Sequence, residues 1–188
     1  MLIRETAEND LAAILRVHRQ AFGQEDEAAL TEAILSDPSA QPVVSLLALV
    51  EGEPAGHILY SRARLSAHPS SGARSSGVEA GPSAALLAPL AVVPAAQGQG
   101  IGGALIQRGL EELSRAGTAF VFVLGYPAYY QRHGFQTAGR LGFAAPYPIA
   151  ERNADAWMVQ ALGDDKGGEG DYQVACADSL NKPEYWVE

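Results

Sequence analysis

Four glycines in six residues, Gly98, Gly100, Gly102 and Gly103, stand where an apolar stretch meets an amphipathic one: Leu90-Ala91-Val92-Val93-Pro94-Ala95-Ala96-Gln97-Gly98-Gln99-Gly100-Ile101-Gly102-Gly103. Glycine lets a ligand approach the main chain with no β-carbon in the way. The first N–H groups of a helix lack partners inside it and point outward with the positive end of the helix dipole. Such a turn suits a pyrophosphate and needs no lysine. A tight turn without a ligand is the plain alternative. Gly98, Gly100 and Gly103 also match the G-x-G-x-x-G spacing of dinucleotide folds, which pair it with an acidic residue after the next strand. Here Phe120 to Leu124 runs into Gly125-Tyr126, with no carboxylate.

Other chemistry-bearing residues are sparse. Cys176 is the only cysteine, so an internal disulfide and a cysteine-based zinc site are both excluded, and no metal site is expected. No neighbour in sequence would activate its thiol. His57, inside an apolar run, reads as a satisfied sheet histidine, His133 as a group capping carbonyls or facing solvent. Trp157 and Trp186 read as packing residues. The formal net charge of −9, without any Lys/Arg cluster, argues against nucleic acid binding. It suits a cationic or amine substrate, or solubility alone. No apolar run approaches the roughly 20 residues of a membrane helix. Met1 to Thr6 turns polar at once, unlike a signal peptide, so a cytoplasmic protein is expected.

The elements that must carry these residues follow from periodicity. Leu2 to Arg4 is an edge strand. Asn9 or Asp10 caps a helix whose face is Leu11, Ile14, Leu15, His18 and Phe22, ended by Gly23. A second helix runs from Asp26 to Leu35 and stops at Asp37-Pro38. Val43 to Val50 and Ala55 to Leu65 form a hairpin around Glu51 to Pro54, and Ser66 to Pro82 is a loop. Leu86 to Val93 is nearly all apolar, as for a strand covered on both faces. The helix from Gln99 to Arg115 buries Ile101, Leu105, Ile106, Leu110 and Leu113; Phe120 to Leu124 is another buried strand. A short helix from Pro127 to His133, strands after Gly134 and at Ala156 to Leu162, and a polar, flexible segment from Gly163 to Gly170 follow. Tyr172 to Ala175 and Tyr185 to Val187 read as edge strands. The order predicts one α/β fold with a mixed sheet and flanking helices, at 1–162, and a C-terminal extension at 163–188 packing on it.

Two stretches resemble known signatures. Gln97-x-x-Gly100-x-Gly102 after Val92-Val93-Pro94 is similar to the phosphate turn of the GNAT family of N-acetyltransferases. Tyr129-Tyr130-Gln131-Arg132-His133-Gly134-Phe135 looks like that family's second signature. Ala88 to Val92, Leu124 to Tyr130 and Gly56 to Ser61 resemble its bacterial YhbS-like branch. The resemblance implies a GNAT fold and acetyl-CoA as cosubstrate. The acetyl group then goes to a primary amine that attacks the thioester directly. Leu90, Ala91 and Val92 would hold the pantetheine arm. Gln97, Gly98, Gln99, Gly100, Ile101, Gly102 and Gly103 would hold the pyrophosphate. Tyr130 takes the family position of the general acid that protonates the leaving sulfur, and Tyr129 reads as core. Many members place a glutamate base on a central strand, yet neither Leu86 to Leu90 nor Phe120 to Leu124 has an ionisable side chain. A water chain to Glu27, Glu79 or His57 is the remaining route, and Glu27 matches a second-helix glutamate of that branch. The missing base also suits a non-catalytic acyl-CoA-binding or sensing module, the alternative reading. Arg132 either approaches the 3′-phosphate or is simply exposed. Dimers are common in the family, which leaves a homodimer open; the acceptor's identity does not follow.

Overall fold

The computed structural model describes residues 1–67, 81–163 and 171–187. Most of the expected loop from Ser66 to Pro82, including Glu79, lies outside them, as does the polar segment after Gly163. The chain begins with β1 (Leu2–Glu5), α1 (Leu11–Phe22) and α2 (Asp26–Leu35). β2 (Val44–Val50) and β3 (Glu53–Ala67) form the expected hairpin. Then come β4 (Ala84–Val92), α3 (Ile101–Arg115), β5 (Phe120–Leu124) and α4 (Pro127–Tyr130). Four short strands close the chain: β6 (Gln136–Thr137), β7 (Phe143–Ala144), β8 (Trp157–Ala161) and β9 (Tyr172–Ala175).

The main sheet has the order β1-β2-β3-β4-β5-β8-β6. β4 and β5 are parallel and every other pair along that path is antiparallel, so the sheet is mixed, as expected. β3 shows why one strand serves two neighbours. Ala55 to Ser61 are buried without interruption, then Arg62 and Arg64 alternate with buried residues. A strand covered on both faces gives way to one covered on a single face. Its outer half leaves β4 and pairs β9 from Arg64↔Ala175 to Ala67↔Tyr172.

The two faces have separate cores. On one, Ile101, Leu105, Ile106, Leu110 and Leu113 of α3 pack against Leu46, Ile58, Tyr60, Leu87 and Val121. These five α3 residues are the face expected from sequence. On the other, Phe120, Phe122, Phe143, Trp157 and Trp186 gather with Leu59 and Ile34. The Trp157 and Phe122 rings stack at 5.2 Å, and Trp186 meets Trp157 edge-on at 5.6 Å. The C-terminal residues are tied to the loop after α2. The Asp37 carboxylate accepts from the N–H groups of Ser39 and Ser179, each at 2.8 Å, and Ser39 Oγ accepts from Asp178 N–H at 2.8 Å.

Several expectations need correction. Tyr185 to Val187 is not a strand: Pro183–Trp186 is a 3-10 turn, with Pro183 setting its first φ and Trp186 Nε1–H donating to Leu180 O at 3.1 Å. Asp10 does not cap α1 with its side chain. Its carboxylate accepts from Ala7 N–H at 2.7 Å and from Arg4 at 2.6 and 2.8 Å, which holds the carboxyl down at about 2. α3 begins at Ile101 rather than Gln99, because Gly98 and Gly100 take φ of 74° and 80°, outside the helical region. β3 extends to Ala67, β4 starts at Ala84 and β8 spans only Trp157 to Ala161.

Candidate active site

β4 and β5 pair from Ala84↔Phe120 to Leu87↔Val123 and no further. β4 continues through Ala88–Val92 with β3 as its ladder partner, in the register Ile58↔Leu90, His57↔Ala91 and Gly56↔Val92. The β3–β4 register shifts between Ile58 and Tyr60, opposite Pro89, which has no N–H to give the ladder. The sheet therefore opens between β4 and β5. On the β5 side, the main chain of the second half of β4 has no strand among the described residues.

The glycine turn lies at the end of that opening. The first bond of α3 is Ala104 N–H to Gly100 O at 3.0 Å, so the N–H groups of Ile101, Gly102 and Gly103 have no backbone acceptor among the described residues. Leu90, Val92, Gln97, Gly98 and Gly100 to Gly103 line a cavity of about 560 Å³ with Tyr129, Arg132 and His133. Eight of the ten residues expected to hold the cofactor thus share one space. Ala91 and Gln99 do not line it. Ala91 points to the opposite face and is 1% exposed, and the Gln99 amide donates to Ala95 O at 3.3 Å. Gln97 braces the turn, its amide donating to Val92 O at 3.0 Å. Free N–H groups beside glycines and a roomy, mostly apolar cavity fit an anionic nucleotide carrying an apolar arm.

The second signature docks on the first. The Tyr129 hydroxyl lies against Gly102, where a Cβ would overlap it, and the His133 ring would meet a Cβ on Gly103 at 2.9 Å. Tyr129 is half-buried and packs against the α3-side core, as expected, but it also lines the cavity; His133 is half-buried over Gly103 rather than simply facing solvent. Sequence reasoning missed both as lining residues. The signal available was the glycine pair itself, since adjacent glycines on a helix imply something seated on them. Burial raises the Tyr129 phenol above its usual range; burial first and Arg132 second push the His133 ring down. Tyr130 is set behind Tyr129, its ring against Gly125 at the end of β5 and edge-on to Phe135 at 5.7 Å. A Cβ on Gly125 would come within 2.7 Å of it. The ring thus stands at the corner where β5 ends and the opening begins.

Glu27 lies elsewhere. It borders a second cavity, of about 660 Å³, with Asp26, Leu30, Lys182 and Tyr185, and Gln24 donates to both its oxygens at 3.2 Å. His57 is a satisfied sheet histidine, as expected. Thr6, Ser45, His57 and His18 form a chain of side-chain hydrogen bonds at 2.8, 2.9 and 2.9 Å across β2, β3 and α1. Both rings are 0% exposed, and burial lowers His18 to about 4 and His57 to about 3. Cys176 is buried, which pushes its thiol up to about 11, so it is no nucleophile. Among the described residues no cluster of His, Cys, Asp or Glu could hold a metal, and no helix is long and apolar enough to cross a membrane.

Known proteins share this fold. The family model described as acetyltransferase (GNAT) domain matches residues 44–137. The chain is 45% identical over 158 residues to the uncharacterized N-acetyltransferase YjhQ of Escherichia coli K12, covering 84% of this chain and 82% of that protein. The crystal structure of the E. coli GNAT family N-acetyltransferase YhbS in complex with CoA superposes with a TM-score of 0.77 at 27% identity, covering 96% of this chain and 92% of that one. A GNAT family acetyltransferase from Brucella melitensis, in complex with acetyl-CoA, gives 0.67 at 29% identity, covering 95% and 97%.

Proposed function

Because the chain belongs to the GNAT family of acetyltransferases, we propose that it moves an acetyl group from acetyl-CoA to a primary amine by direct attack. The observation that carries this reading is the opening between β4 and β5, which ends on the glycine turn. In this reading the pantetheine arm lies along Leu90 to Val92 as an added strand would, and the N–H groups from Gly98 to Gly103 receive the pyrophosphate. The thioester then sits near Gly125 and Tyr130.

The neutral amine adds to the thioester carbon, and the carbon–sulfur bond breaks. The proton lost by the attacking nitrogen goes to solvent or a carboxylate, and the leaving sulfur takes one from Tyr130. A phenol can take that task because, with an unperturbed pKa of about 10, it still carries its proton at neutral pH when the sulfur departs. Glu27 is our candidate for the acceptor side. With its own amide partner in Gln24, it is suited to orienting a cationic acceptor rather than to touching the thioester.

Calorimetry with acetyl-CoA tests the cofactor half, and absence of binding at sub-millimolar concentration would overturn it. Thiol release with a panel of primary amines tests the transfer. The absence of any ionisable side chain on β4 and β5 favours a second reading, an acyl-CoA sensor. Tight binding with no thiol release for any amine would decide for the sensor.

A further inference from the structure

The second cavity, of about 660 Å³, shares no lining residue with the one at the glycine turn. Its walls come from opposite ends of the chain. α2 supplies an apolar strip, Ala29, Leu30 and Ala33, with Asp26 and Glu27 beside it. The C-terminal residues supply Lys182, Glu184 and Tyr185. That second wall is fixed in place. Trp186 is 3% exposed and donates to Leu180 O at 3.1 Å, and Tyr185 N–H donates to Lys182 O at 3.1 Å. Leu30 also packs on the apolar layer that receives Ala88 and Leu124, the residues just past the point where β4 and β5 part.

Asp26, Glu27 and Glu184 enter no ion pair among the described residues. Acids in the first turn of α2 offset its dipole, but Glu184 stands on the other wall, where no α-helix begins. Lys182, the one cation lining the cavity among the described residues, meets no carboxylate either. Its Nζ lies over the Tyr185 ring, 5.5 Å from the centroid. The chain thus sets an ammonium on an alkyl stem against the cavity's aromatic face.

We propose that this cavity seats the far end of the acceptor, and that the group it takes is a second ammonium on an alkyl chain. Lys182 marks the seat. An incoming ammonium takes its place over Tyr185, and the alkyl chain lies along Ala29, Leu30 and Ala33. Three carboxylates against one lysine leave the cavity net negative, which favours a diamine over a monoamine. The C-terminal extension then selects the acceptor besides packing on the domain. The inference rests on reading the chain as an amine acetyltransferase.

The experiment compares cadaverine with n-pentylamine, which differ by one ammonium. Both are tested as acceptors in steady-state thiol release and as ligands in calorimetry, with the full chain, Glu184→Gln and Lys182→Met. Glu184 and Lys182 are exposed, so both variants should keep the parent melting temperature. The parent should show a KM for cadaverine about 5- to 30-fold below that for n-pentylamine, a gap that narrows as salt is raised. Glu184→Gln should close most of the gap. Lys182→Met removes the competing ammonium and should widen it about 3- to 10-fold. Loss of a merely structural residue would not tighten binding. Glu151→Gln and Arg152→Met change charge equally at residues that line neither cavity, and should behave as the parent does. Equal KM values for the two amines in the parent, or the same changes in the two control variants, would overturn the inference and leave acetyl transfer standing. If no primary amine releases thiol, the transfer reading fails by itself. Calorimetric binding of cadaverine, weakened in Glu184→Gln and tightened in Lys182→Met, would then still support the cation seat, and absence of binding would overturn it.

Discussion

Two adjacent tyrosines stand at the site against different neighbours. Tyr129 faces the glycine turn through Gly102, while Tyr130 faces the end of β5 through Gly125. If Tyr130 donates a proton and Tyr129 shapes the phosphate end, their losses should separate kinetically. Tyr130→Phe is expected to lower kcat about 100- to 10,000-fold and leave the dissociation constant for CoA within about twofold. An unchanged kcat in steady-state thiol release would take Tyr130 out of the acid role. Sequence separated these residues only through the resemblance, which assigned Tyr130 a role and left Tyr129 to the core. Spacing could not correct that, because both sit in one turn of a short helix. What decides between them is the absence of a β-carbon on Gly102 and Gly125, more than 20 residues apart in the chain. The cavity-lining glycines were legible for the opposite reason: what marks them is the local geometry of their own stretch of chain.

At the level of elements, α1 is bound to the sheet through a polar contact inside an apolar layer. His18 of α1 meets His57 of β3 at 2.9 Å, with His18 Nδ1 buried and unpaired. Both rings have native pKa values depressed to about 4 and about 3, below the unfolded value of about 6.5. The unfolded chain therefore binds more protons than the native one as pH falls through 6.5, and stability falls with it. The contribution is fully present above that value and is progressively lost down to the native pKa values. Between pH 7 and 5 the two rings should cost roughly 2–4 kcal/mol, read as a falling midpoint of urea unfolding. The depressed carboxyls of Asp10 and Asp37 add their own losses only below about pH 4, so they do not mask this window. A midpoint that stays flat from pH 7 to 5 would contradict the assignment. Helix periodicity put His18 on the buried face, and the apolar run put His57 in a strand. Their meeting depends on β3 lying beneath α1, a tertiary fact with no local signature.

Across the whole molecule, the mixed sheet was legible because β2 to β5 are apolar runs, β2 and β3 meet at a clear turn, and α3 separates β4 from β5. The C-terminal turns were not. Tyr185 to Val187 has strand-forming residues, but a 3-10 turn forms there because Pro183 and the buried Trp186 ring outweigh propensity. The opening between β4 and β5 is likewise invisible in composition, since Leu90 to Val92 read as ordinary strand. If an acyl carrier pairs with the open edge of β4 as proposed, that opening also ties the chain's lifetime to its cofactor, and occupied chains should resist heat and proteases better than empty ones. The gain follows mass action: about 2.7 kcal/mol at a hundredfold excess over the dissociation constant, seen as a rise in melting temperature with the logarithm of CoA concentration. A cell short of acyl carrier would then hold less of this protein, its abundance tracking the supply of the molecule it consumes.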